Sequence, residues 1–509
     1  MLHDIIDRAL ADPNHPAAKD LDRQLSYAEM IDEVARLGAG LRSRGVTEGD
    51  RVALFIPNSV DFIVAALASL WVGALFVPLA VTDPQSRVAM VVADCAPALV
   101  VTSAQVDHLL PASLDALRVP IDLLREDERA PVIETGGASR AAYMIYTSGT
   151  TGTPKGVQIG NSAFAAAVRS TASALGLSRA TRTLCVSPFH FDGSYANLFP
   201  TLVSGGTVII RARDALLFPR TFFNTIAKEK INYSGFTPSY LRLLLASPQM
   251  VALRDSTLEI LAFGGEACSA SDLRALWSYA PAIRVFNRYG PTETTIAVTN
   301  VELTPDTIDD GRVTIGRPHP GVFFVLVDEH GRVIEAPNLA GELYIGGVQL
   351  MDGYWADPDL TREVMRDDLV PGETLYRTGD LVFRDERDNY VYVDRADRVV
   401  KRSGVRVSLV ELSASMSKLG NVDAAACLTF DREGELGIVA FVATKAHLST
   451  LDLRLAASEL IPENMLPDRI EFVTSMPLNR SNMLDESRLL SEAGLRPFRP
   501  SSAQPSVPT

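Results

Sequence analysis

The sequence predicts an α/β protein: a large, multi-layered N-terminal domain with mostly parallel sheets and a β subdomain, then a small, mobile α+β C-terminal domain. Its 509 residues exceed what one ordinary core holds. Up to about residue 390, short apolar runs alternate with longer helix-like stretches, a pattern typical of layered parallel sheets. The pattern then changes to a compact unit of about a hundred residues, an ordinary domain size.

The expected elements follow this alternation. The predicted N-terminal strands read RVALFI, ALVVTS, TVIIRA, LEILAF and FFVLVD, and SYAEMIDEVARLGAGLRSRG predicts a helix. GELYIGG and DNYVYVDR predict the β subdomain that closes this part. The stretch from 393 to 420 reads as a charged connector that runs into a helix, and ACLTF, GIVAFVAT, LDLRLAASEL and IEFVTS predict the C-terminal domain. The expected domains are 1–394 and 399–495, with a Pro/Ser-rich, disordered tail at 496–509.

One apolar segment, from Phe62 to Val81, has no charge over a length that could cross a bilayer. Gly73 and Pro78 interrupt it. A buried helix to about Val72, followed by a short buried strand, explains the same composition, so we favour a globular core over a membrane span.

Charge and cysteine usage limit the partners and the cellular compartment that we expect for the protein. The net charge is −14 and no Lys/Arg-rich run occurs, which argues against a nucleic-acid or membrane partner. The cysteines, Cys95, Cys185, Cys268 and Cys427, are scattered without metal-like spacing. The N-terminus lacks the pattern of a signal peptide, so we expect a reduced, cytoplasmic protein.

The most informative segment runs from Tyr146 to Gly156 and reads YTSGTTGTPKG. Glycines and small hydroxyl residues at this density supply N–H and O–H groups that can surround phosphate oxygens, and Lys155 adds a point charge. The segment is not a Walker A loop, because Pro154 stands where that motif needs glycine.

This segment resembles the phosphate loop of the adenylate-forming superfamily: acyl-CoA synthetases, luciferases and the adenylation domains of nonribosomal peptide synthetases. Further motifs follow in the family's order over nearly the whole chain: LSYAEM at 25, WVGALFVPL at 71, FDGS at 191, FNRYGPTETT at 286, GELYIGG at 341, YRTGDL at 376 and DRADRVVKRSGVRVSLVEL at 394. So many ordered matches identify the chain as a member.

The resemblance implies ATP and Mg²⁺ as cofactors. It assigns ATP binding to Thr147, Ser148, Gly149, Thr150, Thr151, Lys155, Gly264, Gly265, Glu266, Asn287, Arg288, Tyr289, Asp380 and Arg395. Thr292 is expected at the α-phosphate, and Glu293 to hold Mg²⁺ as a hard oxygen ligand. A carboxylate attacks the α-phosphorus to give an acyl-adenylate and pyrophosphate, and a nucleophile then takes the acyl group. Between these steps the C-terminal domain is expected to rotate about a hinge at 395–398, centred on Asp397.

The chain departs from the family at the last motif, whose lysine bridges the carboxylate and the α-phosphate. Here Pro477 to Glu486 reads PLNRSNMLDE, which places Met483 at the lysine position. Methionine provides neither charge nor donor. Three alternatives stand: an engineered substitution that traps substrates, which we favour because the other motifs are intact; a natural enzyme that uses Arg480 or Arg488; or a pseudoenzyme that binds without turnover.

The resemblance also implies an acid pocket. Its expected lining is Asp192, Gly193, Ala196, Gly235, Leu261, Phe263, Ile296 and Ala297, with Arg288 close by. Glycine and alanine leave volume and Phe263 offers a ring face, so a bulky, flat, aromatic or heteroaromatic acid fits. Asp192 implies an N–H donor on that acid, unless its carboxylate merely caps a helix.

The acceptor stays open between a free amine, the thiol of a separate carrier protein, and coenzyme A. The sequence contains no carrier-domain or condensation motif, which points to a stand-alone enzyme similar to amide bond synthetases, so we rank the amine first. His190 is expected beside the acyl carbon, where it orients or deprotonates an amine or simply packs. A protein that binds ATP and acid without catalysis is the alternative class.

Overall fold

The computed structural model describes residues 1–132, 141–147, 154–308, 312–395, 399–402, 405–444, 448–477 and 484–498. The strands are β1 Pro16–Lys19, β2 Gln24–Ser26, β3 Arg51–Phe55, β4 Leu75–Pro78, β5 Leu99–Thr102, β6 Arg118–Pro120, β7 Ala141–Thr147, β8 Lys155–Gly160, β9 Arg182–Cys185, β10 Thr207–Ile210, β11 Tyr233–Phe236, β12 Ile260–Gly264, β13 Arg284–Tyr289, β14 Thr299–Leu303, β15 Val322–Val327, β16 Ala340–Gly347, β17 Gly353–Tyr354, β18 Met365–Arg366, β19 Leu375–Arg384, β20 Tyr390–Arg395, β21 Val399–Arg402, β22 Val405–Ser408, β23 Ala424–Arg432, β24 Glu435–Ala443 and β25 Arg469–Val473. The helices are α1 Leu2–Ala11, α2 Tyr27–Ser43, α3 Val60–Trp71, α4 Gln85–Cys95, α5 Asn161–Leu175, α6 Tyr195–Val203, α7 Arg213–Leu216, α8 Pro219–Glu229, α9 Pro238–Leu245, α10 Ala270–Tyr279, α11 Pro358–Val364, α12 Leu409–Ser417, α13 Thr450–Ser458 and α14 Glu486–Glu492.

Two large sheets form the N-terminal part of the fold. One has eight strands in the order β14-β13-β12-β11-β9-β10-β1-β2, and the other has seven in the order β17-β8-β7-β4-β3-β5-β6. Their central strands are parallel; antiparallel pairs occur at both ends of the eight-stranded sheet and at the β17-β8-β7 end of the seven-stranded sheet. A five-stranded antiparallel sheet of β15, β16, β18, β19 and β20 is the predicted β subdomain. The α/β class with mostly parallel sheets is therefore confirmed.

The main hydrophobic core is built around α3 and α6. Nearly every residue of α3 and all nine of α6 are buried, and both helices contribute to one cluster with residues of both large sheets. Ser59 caps α3, and Gly73 follows it with a φ of +82° that ends the helix. The uncharged segment thus forms the predicted buried helix and strand. No helix of the described residues is long and apolar enough to cross a membrane.

The C-terminal part has a separate three-stranded sheet, β23-β24-β25, packed against α12 and α13. The expected charged connector contains a two-stranded hairpin, β21 with β22, that the sequence interpretation missed. In the hairpin Val400 pairs with Val407, which is fully buried, whereas the charged residues between them had suggested an exposed connector. Ser86 Oγ donates to Glu459 O at 3.0 Å and joins this part to the N-terminal sheets. Asp397 lies outside the described residues, so the hinge and domain boundaries stay predictions.

Candidate functional site

A cavity of about 180 Å³ lies where the two large sheets meet, beside the carboxyl ends of β4, β7 and β12. In open α/β sheets this edge is where ligands bind. The cavity brings together twelve of the predicted site residues: Thr147, His190, Asp192, Gly193, Ala196, Gly235, Gly264, Gly265, Arg288, Thr292, Ile296 and Ala297. Residues predicted for the nucleotide and residues predicted for the acid therefore face one space.

Two predicted pocket residues lie behind the wall of the cavity. Leu261 and Phe263 are buried in the second core cluster, and the Phe263 ring contacts Phe236 with centroids 5.4 Å apart. Because side chains alternate along β12, both residues point to the same face of the sheet, towards this cluster. Phe236 lines the cavity, so it supplies the ring that the sequence analysis had expected from Phe263.

A buried charge cluster joins β8 to the loop after β13. Lys155 Nζ donates to Tyr354 Oη at 2.9 Å, and Tyr354 Oη donates to Glu293 Oε1 at 2.9 Å. Lys155 Nζ also lies 3.9 Å from Glu293 Oε1, and Glu293 is 0% exposed. A fully buried carboxylate is stable only beside positive charge, and here lysine provides part of it.

The donor set of this cluster suits magnesium. Among the described ranges, no group of three or more His, Cys, Asp or Glu side chains is arranged to hold a metal. Mg²⁺ commonly takes one or two carboxylates, with substrate phosphates and water as its other ligands. Glu293 meets that requirement. Ser148, Gly149, Thr150 and Thr151 of the phosphate loop lie outside the described residues.

A second polar cluster lies on the expected nucleotide side. Tyr289 Oη donates to Asp380 Oδ2 at 2.5 Å, and both residues are buried. Burial and the Asp380 charge raise the pKa of Tyr289 well above its ordinary value. Asp380 pairs with Arg395 in the β19/β20 register, although the Arg395 side chain lies outside the described part. Lys401 lines the cavity, with its Nζ 5.7 Å from the Tyr289 ring centroid.

Two further residues predicted to bind ATP do not line the cavity and make structural contacts. Asn287 Nδ2 donates to Thr314 O at 2.8 Å. Glu266 Oε2 accepts the backbone N–H of Ser239 at 2.9 Å, in the first turn of α9. Both side chains hold backbone next to the site, and their roles towards ATP stay predictions.

One group of residues that lines the cavity was not predicted from the sequence. Asp83 and Arg87 line it, with Arg87 Nε 3.4 Å from Asp83 Oδ2, and Pro462, Asn464 and Met465 of the C-terminal part face the same space. Burial raises the pKa of Asp83 despite the neighbouring guanidinium. No linear motif marks these residues, because the fold alone brings them together.

A hydrogen-bonded pair that the sequence did not single out supports the loop carrying Ile296 and Ala297. Gln349 Nε2 donates to Ala297 O at 2.8 Å, and His319 Nδ1 lies 2.9 Å from Gln349 Oε1. Thr295 and Ile296 have φ values of +60° and +69°, which non-glycine residues adopt only when neighbouring contacts enforce them. The pair therefore holds a strained cavity wall.

We expect this pair to make stability depend on pH. Burial lowers the pKa of His319, so the folded protein keeps it neutral while the unfolded chain binds a proton below about pH 6.5. Stability is therefore present above that pH and is lost as the pH falls through the lowered pKa, by up to about 1.4 kcal/mol per pH unit. Urea unfolding at pH 7.5 and 5.5 should show a smaller loss for His319→Gln than for the parent.

The exposed His330 provides the control for this measurement. The His330→Gln variant should keep the full pH dependence of the parent. An equal loss of stability in the parent and in His319→Gln would contradict the assignment.

The layered α/β fold and the cavity at the edge of its sheets agree with the adenylate-forming class that the motifs predicted. The family model described as AMP-binding enzyme matches residues 6–355, so the chain belongs to that family. Novobiocin biosynthesis protein H from Streptomyces niveus is 32% identical over 514 residues, covering 96% of this chain and 83% of that protein. The family resemblance inferred from the motifs is confirmed.

The chain is also similar to a much longer relative and to a solved structure. Gramicidin S synthase 2 from Brevibacillus brevis is 30% identical over 482 residues; the match covers 94% of this chain but only 11% of that synthase. The amide bond synthetase McbA from Marinactinospora thermotolerans superposes with a TM-score of 0.82 at 24% identity, over 96% of this chain and 99% of that one, a likeness that shows the fold alone. The chain is thus a member of the AMP-binding enzyme family that spans about a tenth of the longer synthase.

Proposed function

We propose that the protein activates a flat, (hetero)aromatic carboxylic acid as an acyl-adenylate and transfers the acyl group to a free amine. The observation that carries this proposal is the single cavity. It joins the nucleotide side at Gly264 and Thr292, the acid side at Asp192 and Gly235, and a third part lined by Asp83 and residues of the C-terminal part.

In this proposal the nucleotide lies between the two buried polar clusters. Lys155 and Thr147 hold the β- and γ-phosphates, and the Thr147 hydroxyl is buried without a hydrogen-bond partner among the described residues. Asp380 holds the ribose hydroxyls. Glu293 holds Mg²⁺, which neutralises phosphate charge when bound. Positioning and charge neutralisation then carry the attack of the carboxylate on the α-phosphorus.

The acid lies against α6 and β11. Gly193 and Ala196 leave space there, and Phe236 gives a ring face. Burial, and after it the Asp192 charge, raises the pKa of Tyr143 and Tyr195, which are both fully buried and lie close to that carboxylate. A substrate N–H beside this carboxylate is strongly favoured, as an amino group or a ring nitrogen provides.

Transfer to an amine needs a group that accepts a proton. The amine nitrogen bonds to the acyl carbon, AMP leaves with the bonding pair of the acyl–oxygen bond, and one N–H proton must pass to a base. His190 lines the cavity and is the first candidate; Asp83, with its raised pKa, is the second. His190 and Asp83 line the same cavity as residues of the C-terminal part, where we place the amine.

Two alternatives have observations in their favour. The gramicidin synthase relative favours loading of an acid onto a carrier-protein thiol. Met483 favours a protein that binds ATP and acid with little turnover, since the charge-stabilising lysine is missing.

One experiment separates the three. The protein is incubated with ATP, Mg²⁺ and a panel of aryl, heteroaryl and amino acids, and pyrophosphate release is followed. Active acids are then offered benzylamine, coenzyme A or a phosphopantetheinylated carrier protein, and products are identified by mass. Amide formation with the amine is the expected result. Thioester as the sole product would replace the proposal with carrier or coenzyme loading, and binding without pyrophosphate release would support the pseudoenzyme.

A further inference from the structure

Arg288 is a buried cation whose hydrogen-bond partners in the described part of the structure are all uncharged. It lies in β13 and is 8% exposed. Its Nη1 lies 3.2 Å from each of Ala196 O, Asn197 Oδ1 and Tyr233 Oη, and its Nη2 lies 3.2 Å from Asn197 Oδ1 and 3.4 Å from Ala262 O. No aspartate or glutamate of the described residues forms an ion pair with it.

The same protein shows how a buried arginine is usually stabilised. Arg211 is also 8% exposed, and its Nη2 lies 2.7 Å from Glu229 Oε1. A buried guanidinium beside a carboxylate recovers much of its desolvation cost, whereas neutral oxygens recover less. Arg288 therefore retains positive charge that a ligand can neutralise.

The local structure directs this charge to the acid side of the cavity. Arg288 lines the cavity with Ala196 and Gly235, and its Nε–H has no hydrogen-bond partner among the described residues. A Cβ on residue 235 would lie 2.1 Å from Arg288 Nη2, so only glycine leaves room for the guanidinium. Asn197 and Tyr233 fix the group in this place.

We propose that the acid substrate carries a second anionic oxygen group, a carboxylate or phenolate, that binds Arg288. The inference rests on the proposed acid activation and narrows its substrate class. The Arg288 guanidinium bonds Ala196, Asn197 and Tyr233 on the acid side, whereas the activated carboxyl must reach the α-phosphorus beside Thr292, so a second group of the acid binds Arg288. The substrate then presents an anionic oxygen to Arg288 and an N–H to Asp192, so the two charged side chains bind different ends of it.

The test is acid binding by calorimetry, which needs no turnover. Two benzene diacids, terephthalate and isophthalate, and naphthalene-2,6-dicarboxylate are each compared with the monoamide of the same diacid, which has the same shape and one charge fewer. We expect at least one diacid to bind about 10- to 100-fold more tightly than its monoamide, the range of a charge-assisted hydrogen-bonded pair. Equal affinities within every pair would overturn the inference.

Variants then show whether Arg288 is responsible for the tighter binding of the diacid. Arg288→Met should abolish it by weakening diacid binding while monoamide binding stays within about threefold, and Arg288→Lys should keep part of it. The exposed Arg332 gives the control variant, Arg332→Met, which should keep the full preference. Equal weakening of diacid and monoamide would mean that Arg288 binds the reactive carboxyl, and would overturn the inference. If Arg288→Met fails to fold, the comparison on the parent protein decides alone.

Failure of the proposed function is distinguishable from failure of this inference. Acids that bind without preference remove only the inference about Arg288. Absence of binding by every diacid and monoamide removes this inference, while the proposed acid activation is decided separately by pyrophosphate release with the wider panel of acids.

Discussion

Replacing Met483 with lysine is expected to raise acid-dependent pyrophosphate release by about 10²- to 10³-fold, the usual effect of one charge-stabilising group in a transition state. The family motif places a lysine at this position, which lies outside the described residues. A lysine there adds positive charge between the carboxylate and the α-phosphate, where negative charge develops. Initial rates of pyrophosphate release on the parent and Met483→Lys measure the effect.

Controls separate this role from a general effect of charge. Met90, which is 49% exposed on α4, gives a Met90→Lys variant that adds the same charge elsewhere and should leave the rate unchanged. If Met483→Lys and the parent are equally fast, the lysine role is refuted, and Arg480→Met and Arg488→Met become the informative variants. Arg488 Nε is 2.7 Å from Glu492 Oε1 on an exposed helix, so Arg480 would be tested first.

Substituting Glu293 with glutamine is expected to lower pyrophosphate release by about 10²- to 10³-fold, because Glu293 is the carboxylate that we assign to Mg²⁺. The amide has the same size and can accept the Tyr354 hydrogen bond, so the local packing is kept. The magnesium concentration for half-maximal rate should rise. Assays on the parent and Glu293→Gln over a magnesium series, with Met483→Lys as background if needed, measure both effects.

Glu302 provides the matched control. It lies 2.8 Å from Arg284 in an exposed ion pair, so Glu302→Gln removes the same charge at the surface and should change neither rate nor magnesium dependence. A Glu293→Gln variant with normal rate and normal magnesium dependence would show that the buried carboxylate serves structure alone.

Local pattern was sufficient for much of the fold. The buried helix α3 and the strand after it follow from an uncharged run interrupted by Gly73 and Pro78. The hairpin β21/β22 was missed, because its charged residues outweigh the valine pair in any short window. The alternation of strands and helices predicts mostly parallel strands, but the order of strands in a sheet depends on contacts between distant segments.

The residues of the candidate site also fall into those that local motifs predicted and those that they did not. Residues in motifs, such as Thr147 and Asp192, reach the cavity as expected. Phe263 does not, because its position along β12 turns it to the opposite face, which a motif comparison does not reveal. Asp83 and Gln349 were not predicted, because no sequence motif includes them. Their place in the site is visible only from their contacts, Asp83 with Arg87 and Gln349 with Ala297.

The first strand of the protein has a consequence for how the chain is made. β1 lies beside β10, and Thr207 Oγ1 donates to Pro16 O across 191 positions of sequence. The ribosome must therefore synthesise the chain past β10 before β1 can pair with it, and until then this edge of β1 is unpaired. Closing so long a loop is slow, and it exposes the early segments to aggregation or chaperone capture. Production of this protein should therefore depend more on translation speed and chaperone supply than its native stability would indicate.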